Sequence, residues 1–261
     1  MSKLQNCHRI VIKIGTSTLT HEEGHLNLRR IEQLVKVLSD FKNAGRQVIL
    51  VSSGAVSAGV AKVSGHRPTC TAEKQAMAAV GQSELMKLYS RFFSDYGHIV
   101  AQILLTKDVI DNPARRAAAE DTFRTLLEMG CVPIVNENDS VSTEGINFGG
   151  NDTLSAYVAL VCHADLLINL SDIDGLYDKD PRRFSDAKLI SHVDGIDDGV
   201  LAMAGGAGTE RGTGGMATKL KAAKIVVDAG IPMFILNGKD PTVLYDLLDG
   251  AKVGTYFSVK K

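Results

Sequence analysis

Lys219 lies in "GTGGMATKLKAAK", Gly212 to Lys224, where a glycine-rich turn runs directly into a helix-like segment. Free backbone N–H groups and the positive end of a helix dipole favour an anion there, and a lysine in the first turns adds a full charge, so the pattern suits a phosphate. The Walker spacing G-x-x-x-x-G-K-[ST] is absent, which sets the segment apart from P-loop nucleotide sites. A second lysine, Lys13, stands inside the apolar run "RIVIKIG" and is followed by Thr16 and Ser17. An ammonium buried in a strand is costly unless it is paired or faces an anion; a lysine snorkelling from an edge strand is the alternative.

Other polar clusters fall where strands end. "VSSGAVSAG" offers Ser53, Gly54 and Ala55, either as a place where a ligand meets the backbone or as a plain turn. "VNENDSVS" carries Asn136, Glu137, Asn138 and Asp139. In "FGGNDTLSA", Asn151 and Asp152 sit where a helix begins, so helix capping and a role in a site are both open. "LSDIDGLYDKDPR" closes a strand with Ser171 and Asp172, and Gly175 and Asp180-Pro181 then make a turning loop. Its aspartates suit a solvated surface and lack the spacing of a calcium loop.

These positions need a frame. Short β-branched runs alternate with long amphipathic ones, the pattern of parallel strands joined by crossover helices. Strands are expected at "RIVIKIG", "RQVILVSS", "HIVAQILLT", "CVPIVNEN", "DLLINLSD" and "IPMFILNG". Helices are expected at "IEQLVKVLSDFKNAG", "AEKQAMAAVGQSELMKLYSRFFSDYG", through "DTFRTLLEMG", at "DTLSAYVALVCHA", after Gly215, and at "PTVLYDLLDG". Ligands of open parallel sheets bind off the carboxyl ends of the strands, where the polar clusters lie. The glycine-dense stretch Ala204 to Gly215 reads as a lid.

With 261 residues, 44% hydrophobic and 23% charged, one compact unit spanning residues 1–261 is the simplest reading. A formal charge of -1 supplies no basic field for nucleic acid or an anionic membrane. No apolar run reaches the roughly 20 residues of a transmembrane helix, and "MSKLQNCHRI" lacks a signal-peptide core, so a cytoplasmic protein is expected. Cys7, Cys70, Cys131 and Cys162 are far apart without a C-x-x-C pair, as expected of reduced thiols.

Taken in order, "VIKIGTS", "VSSGAV", "VNENDSV", "GGNDTLSA", "LSDIDGLYDKDPR" and "GTGGMATK" resemble the amino-acid kinase family, from about Arg9 to Phe257. The resemblance is strongest to those members that phosphorylate the side-chain carboxylate of L-glutamate. It implies an α/β fold, a three-layer αβα sandwich with a mainly parallel sheet of about eight strands. Glutamate would bind over the N-terminal part and ATP over the C-terminal part. The implied reaction moves the γ-phosphoryl group of ATP to glutamate, giving L-glutamate 5-phosphate, the first step of L-proline synthesis. By the same resemblance Lys13, Asp152 and Lys219 are catalytic: Lys13 contacts the phosphoryl oxygens, Lys219 the departing phosphates, and Asp152 holds the two ammonium groups. Ser53, Asp139 and Asn151 would bind glutamate, with Gly54 and Ala55 lending N–H groups. Lys13, Gly15, Ser171, Asp172 and the segment Thr213, Gly214, Gly215, Met216, Ala217, Thr218 and Lys219 would bind ATP. Mg²⁺ is expected mainly on ATP phosphates and water, with no direct protein ligand.

A glutamate side chain in water has a pKa of about 4.3 and is already a nucleophile at neutral pH, so this transfer needs cations and N–H donors rather than a general base. Asp139 beside an amino-group pocket favours an unacylated substrate over an N-acylated one, and an idle sensor of glutamate or proline is the reading from another class. Relatives assemble as dimers or tetramers, and L-proline is a feedback inhibitor in the family. Two departures stand out: Gly150 replaces the usual acidic residue before the Asn-Asp pair, and the C-terminal PUA domain of many members is absent from this chain.

Overall fold

The computed structural model describes residues 7–21, 24–63, 67–143, 147–205 and 215–260. The chain runs β1 (Arg9–Ile14), α1 (Thr16–Leu19), α2 (Leu28–Asn43), β2 (Gln47–Val51), α3 (Ala55–Val63), α4 (Thr71–Ser94), β3 (Val100–Leu105), α5 (Lys107–Asp111) and α6 (Pro113–Glu128). It continues β4 (Val132–Glu137), α7 (Asn151–Val161), β5 (Leu166–Ser171), β6 (His192–Asp194), α8 (Asp198–Gly205), α9 (Met216–Asp228), β7 (Met233–Asn237), α10 (Val243–Leu248) and β8 (Thr255–Ser258). The strands form one eight-stranded sheet in the order β3-β4-β2-β1-β5-β7-β8-β6, and only the β7–β8 pair is antiparallel. All six expected strands are present.

Alternation along β1 shows how the layers are made. Ile10, Ile12 and Ile14 pack into a core that includes Leu34 and Leu38 of α2, Leu85 and Phe93 of α4, and Leu244 of α10. Val11 faces the opposite core, with Phe123 of α6, Leu154 and Val158 of α7, and Leu220 and Val226 of α9. A strand's period of two therefore puts Lys13 on the second face, toward α7 and α9. β1 is paired on both sides, Lys13 lying opposite Val51 of β2 and Asn169 of β5. The edge-strand alternative for Lys13 is thereby removed: it is 6% exposed in the middle of the sheet.

Two departures from the sequence expectation matter for the site. Ala55 begins helix α3 rather than continuing a turn, with Gly54 at φ +88° making the sharp entry. α3 lies against α4 at backbone contact distance: a Cβ on Gly81 would stand 1.7 Å from the Ala55 carbonyl oxygen, and one on Gly59 1.9 Å from that of Met77. Second, the Gly150 N-cap of α7 has φ 120° and ψ 162°, and no side chain caps the helix. The capping alternative for Asn151 and Asp152 therefore fails, and both side chains are turned to other partners. Gly150 itself occupies a conformation that side chains resist, which is a backbone reason for glycine at this position.

Candidate active site

A cleft of about 870 Å³ opens off the carboxyl ends of the central strands, lined among others by Lys13, Ser53, Asp139, Asp152, Ser171 and Lys219. At its floor, β1, β5, α7 and α9 bring one carboxylate between two ammonium groups. Asp152 Oδ1 lies 2.5 Å from Lys13 Nζ and accepts from Asn169 Nδ2 at 2.8 Å. Asp152 Oδ2 accepts from Lys219 Nζ at 3.2 Å and from Thr218 Oγ1 at 2.8 Å. Lys13, Asp152 and Lys219 are 6%, 3% and 4% exposed.

Burial opposes ionisation of Asp152, but Lys13 and Lys219, with the hydrogen bonds from Lys13 and Asn169, outweigh it and hold the carboxyl well below the usual carboxylate range. Burial pulls Lys13 below the ordinary lysine value; the Asp152 carboxylate pulls it back, and the neighbouring charge of Lys219 adds to the lowering. Two cations against one carboxylate leave a net positive charge facing the cleft. Such a floor suits a polyanion.

One end of the cleft is built by β2, β4, α3 and the loop after β4. Asn151 Nδ2 donates inward to Ser52 O at 2.7 Å, Ser53 Oγ at 2.9 Å and Asn136 Oδ1 at 3.0 Å. Ser53, Gly54 and Ala55 line the cleft, as do Asp139 and Asn151. Asp139 is raised above its ordinary value, first by burial and then by the charge of Glu137, with Lys74 opposing. Glu137 Oε1 ties the loop down by accepting from Ser142 Oγ at 2.9 Å and Phe148 N at 3.1 Å. Beneath lies Tyr89, fully buried, its hydroxyl 2.8 Å from Ser52 Oγ and its pKa pushed up to about 12 by burial.

The other end is made by the tops of β1 and β5, the loop after β5 and the start of α9. Gly15, Ser171, Asp172, Gly215 and Met216 line it. Ser171 Oγ lies 3.2 Å from Asp172 Oδ1, and Arg182 Nη2 reaches Asp172 Oδ2 at 3.4 Å. Ala217 is exposed and does not line the cleft, while Thr218 is turned to Asp152 rather than into open space. Thr213 and Gly214, and residues 206–214 of the expected lid, lie outside the described residues.

Two contributors to the site were not singled out by sequence, Asn169 and Gln82, and Glu137 was named in its strand-end cluster without a role. Asn169 is legible afterwards as a lone amide inside "LLINLS"; it is fully buried, and its Oδ1 has no partner among the described residues. Gln82 shares the buried face of α4 with Leu85 and Tyr89, which hides it in an apolar pattern. Among the described residues no group of three His, Cys, Asp or Glu side chains is placed to hold a metal ion, and both Asp152 oxygens are already occupied. No described helix is long and apolar enough to cross a membrane, and Cys70, Cys131 and Cys162 form no disulfide.

The pattern of the amino acid kinase family matches residues 8–237. A glutamate 5-kinase of Clostridium perfringens (strain 13 / Type A) is 52% identical over 99% of this chain and 98% of its own length. One from Listeria innocua serovar 6a is 51% identical over 99% of this chain and 95% of its own length. Among solved structures, UMP kinase from Bacillus anthracis superposes with a TM-score of 0.65 at 17% identity, covering 98% of this chain and 97% of that one. Isopentenyl phosphate kinase of T. acidophilum gives 0.62 at 17% identity, covering 95% and 99%. The eight-stranded, mainly parallel sheet, the cleft at its strand ends and these matches together place the chain in the amino acid kinase family.

Proposed function

We propose that the chain transfers the γ-phosphoryl group of ATP to the side-chain carboxylate of L-glutamate, forming L-glutamate 5-phosphate at the entry to L-proline synthesis. The observation that carries the reading is the Lys13–Asp152–Lys219 cluster on the floor of a cleft whose two ends differ in chemistry. The glutamate 5-kinases that are about 50% identical over nearly the whole chain support the acceptor.

Two anions must be brought in line and the charge on the moving phosphoryl group stabilised. Lys13, central in the sheet, meets the phosphoryl oxygens between the two substrates. Lys219, from the start of α9, meets the phosphates that depart. Asp152 takes no proton, since its carboxyl is held ionised; it keeps two mutually repelling ammonium groups at fixed places. At the acceptor end, Asp139 and the carbonyl of Asn151 accept from the α-ammonium group, while Ser53 and the N–H groups of Gly54 and Ala55 donate to carboxylate. A negatively charged Asp139 suits an unacylated amino acid better than an N-acylated one. Ser171, Asp172, Gly15, Gly215 and Met216, with Thr213 and Gly214, hold the nucleotide. Mg²⁺, held by phosphate oxygens and water, would neutralise charge on the β- and γ-phosphates.

The same reading places the protein in the cytoplasm as a dimer or tetramer, with L-proline as a feedback inhibitor. Residues 1–261 then act as one kinase domain. The test is ADP release with Mg-ATP and L-glutamate, with hydroxylamine present to trap the acyl phosphate as a hydroxamate. N-acetylglutamate and aspartate run alongside. Trapping with glutamate alone is expected; trapping with none of the three, in folded protein that binds ATP, would refute the reading.

A further inference from the structure

A buried chain of amides runs from α4 to the acceptor end of the cleft. Gln82 Oε1 accepts from Asn136 Nδ2 at 3.0 Å. Asn136 Oδ1 in turn accepts from Asn151 Nδ2 at 3.0 Å and from the Glu137 N–H at 2.9 Å. Gln82 and Asn136 are 8% and 2% exposed. A carboxamide has one accepting and one donating end, so each member of such a chain sets the sense of the next.

The consequence is felt at Asn151. Its NH₂ group faces three acceptors inside the protein, which leaves its carbonyl oxygen as the group offered to the cleft. Together with Asp139, this gives the pocket an accepting wall. Asn136 holds one of those three contacts and is itself anchored at its far end by Gln82. Without that anchor a buried NH₂ group loses its partner. The Asn136 side chain then turns toward cleft water, taking its Oδ1 away from Asn151 and leaving Ser52 O and Ser53 Oγ alone to hold the Asn151 amide, which loosens its orientation.

We infer that Gln82, which lies behind the pocket, is a positioning residue that sets the preference for an acceptor bearing a free α-ammonium group, acting through Asn136 and Asn151. This rests on the glutamate reading above. Gln82 also lines a second hollow, together with Ser83, Gln102 and Ser140.

The experiment compares the full-length wild-type chain with Gln82→Met, similar in length but without a strong acceptor, and with Gln82→Glu, which keeps one. Steady-state KM values for L-glutamate and Mg-ATP are measured, together with Ki for glutarate, which has both carboxylates and no amino group. Gln82→Met is expected to raise KM for glutamate about tenfold, the loss of one hydrogen bond to a charged group, with KM for ATP and Ki for glutarate unchanged. Gln82→Glu is expected to restore most of the glutamate affinity. An unchanged glutamate KM in Gln82→Met, or glutamate KM and glutarate Ki rising together, would overturn the inference. Should Gln82→Met not fold, as judged by thermal unfolding, Gln82→Ala serves the same comparison. Failure of the wild-type chain to phosphorylate glutamate would instead contradict the function itself, and is read before any variant.

Discussion

Asp152 is the residue on which the site's electrostatics turn, because both of its oxygens are shared between a lysine and a neutral donor. Asp152→Ala would leave two buried ammonium groups without their shared counter-charge. Breaking a buried pair in this way costs roughly 3–5 kcal/mol, so a clear fall in the urea midpoint is expected along with loss of turnover. Lys219→Ala should behave differently: turnover falls about 10²–10³-fold, as when one charge-stabilising group is lost, while calorimetric glutamate affinity is kept. Unchanged turnover would refute its role. Asp139 provides the pH test. Its pKa is raised, so it protonates at a higher pH than an ordinary aspartate, and the pocket then loses the charge that meets the substrate's ammonium group. KM for glutamate should therefore climb as pH falls toward the upper edge of the carboxylate range, and Asp139→Asn should show a high KM with a flatter profile. At this scale the sequence made Lys13 and Lys219 conspicuous as charges in apolar or glycine-rich settings, while Asp152 stood open between helix cap and site until its partners were seen. Asn169 and Gln82 were concealed because an amide inside an apolar strand or on a helix face has bland alternatives that only three-dimensional partners remove, and Glu137, visible at its strand end, gained a role only from its partners Ser142 and Phe148.

Elements place these side chains, and the closest placement is made by glycine. α3 can start beside the substrate pocket only because Gly59 and Gly81 let it meet α4 backbone to backbone. Gly81→Ala would drive a methyl group into the Ala55 carbonyl, forcing α3 outward. A loss of several kcal/mol in stability is expected, with a raised glutamate KM if the protein remains folded, measured by thermal unfolding and steady-state kinetics; a neutral result would mean that the α3–α4 contact does not set the pocket. α3 escaped the sequence reading for a related reason. "AVSAGVAKV" is nine residues of small side chains without the large periodic apolar stripe by which α2 declares itself through Ile31, Leu34, Val35, Leu38 and Phe41. β6, three residues long, and β8, four, were similarly too short to read, whereas the β-branched runs of β1 and β2 and the apolar run of β5 were unmistakable.

In the whole molecule, one sheet brings distant parts of the chain to a single cleft. Lys13, Asp152 and Lys219 are spread over most of the sequence, yet β1 at the centre of the sheet, with α7 and α9 on one face, makes them neighbours. Alternating strands and helices were enough to expect a layered, mainly parallel sheet; the strand order and the antiparallel return of β8 depend on long-range pairing that local pattern does not encode. The account stands on carboxylate as the attacking group, and an isotope experiment reads that directly. L-Glutamate carrying ¹⁸O in its side-chain carboxylate is incubated with the protein, Mg-ATP and hydroxylamine, and the released phosphate is analysed by mass spectrometry. Hydroxylamine attacks the acyl carbon, so the oxygen that bridged carbon and phosphorus leaves with the phosphate. Phosphate carrying one ¹⁸O atom in step with hydroxamate is the expected result; hydroxamate-free turnover releasing only unlabelled phosphate would contradict transfer to the glutamate side chain.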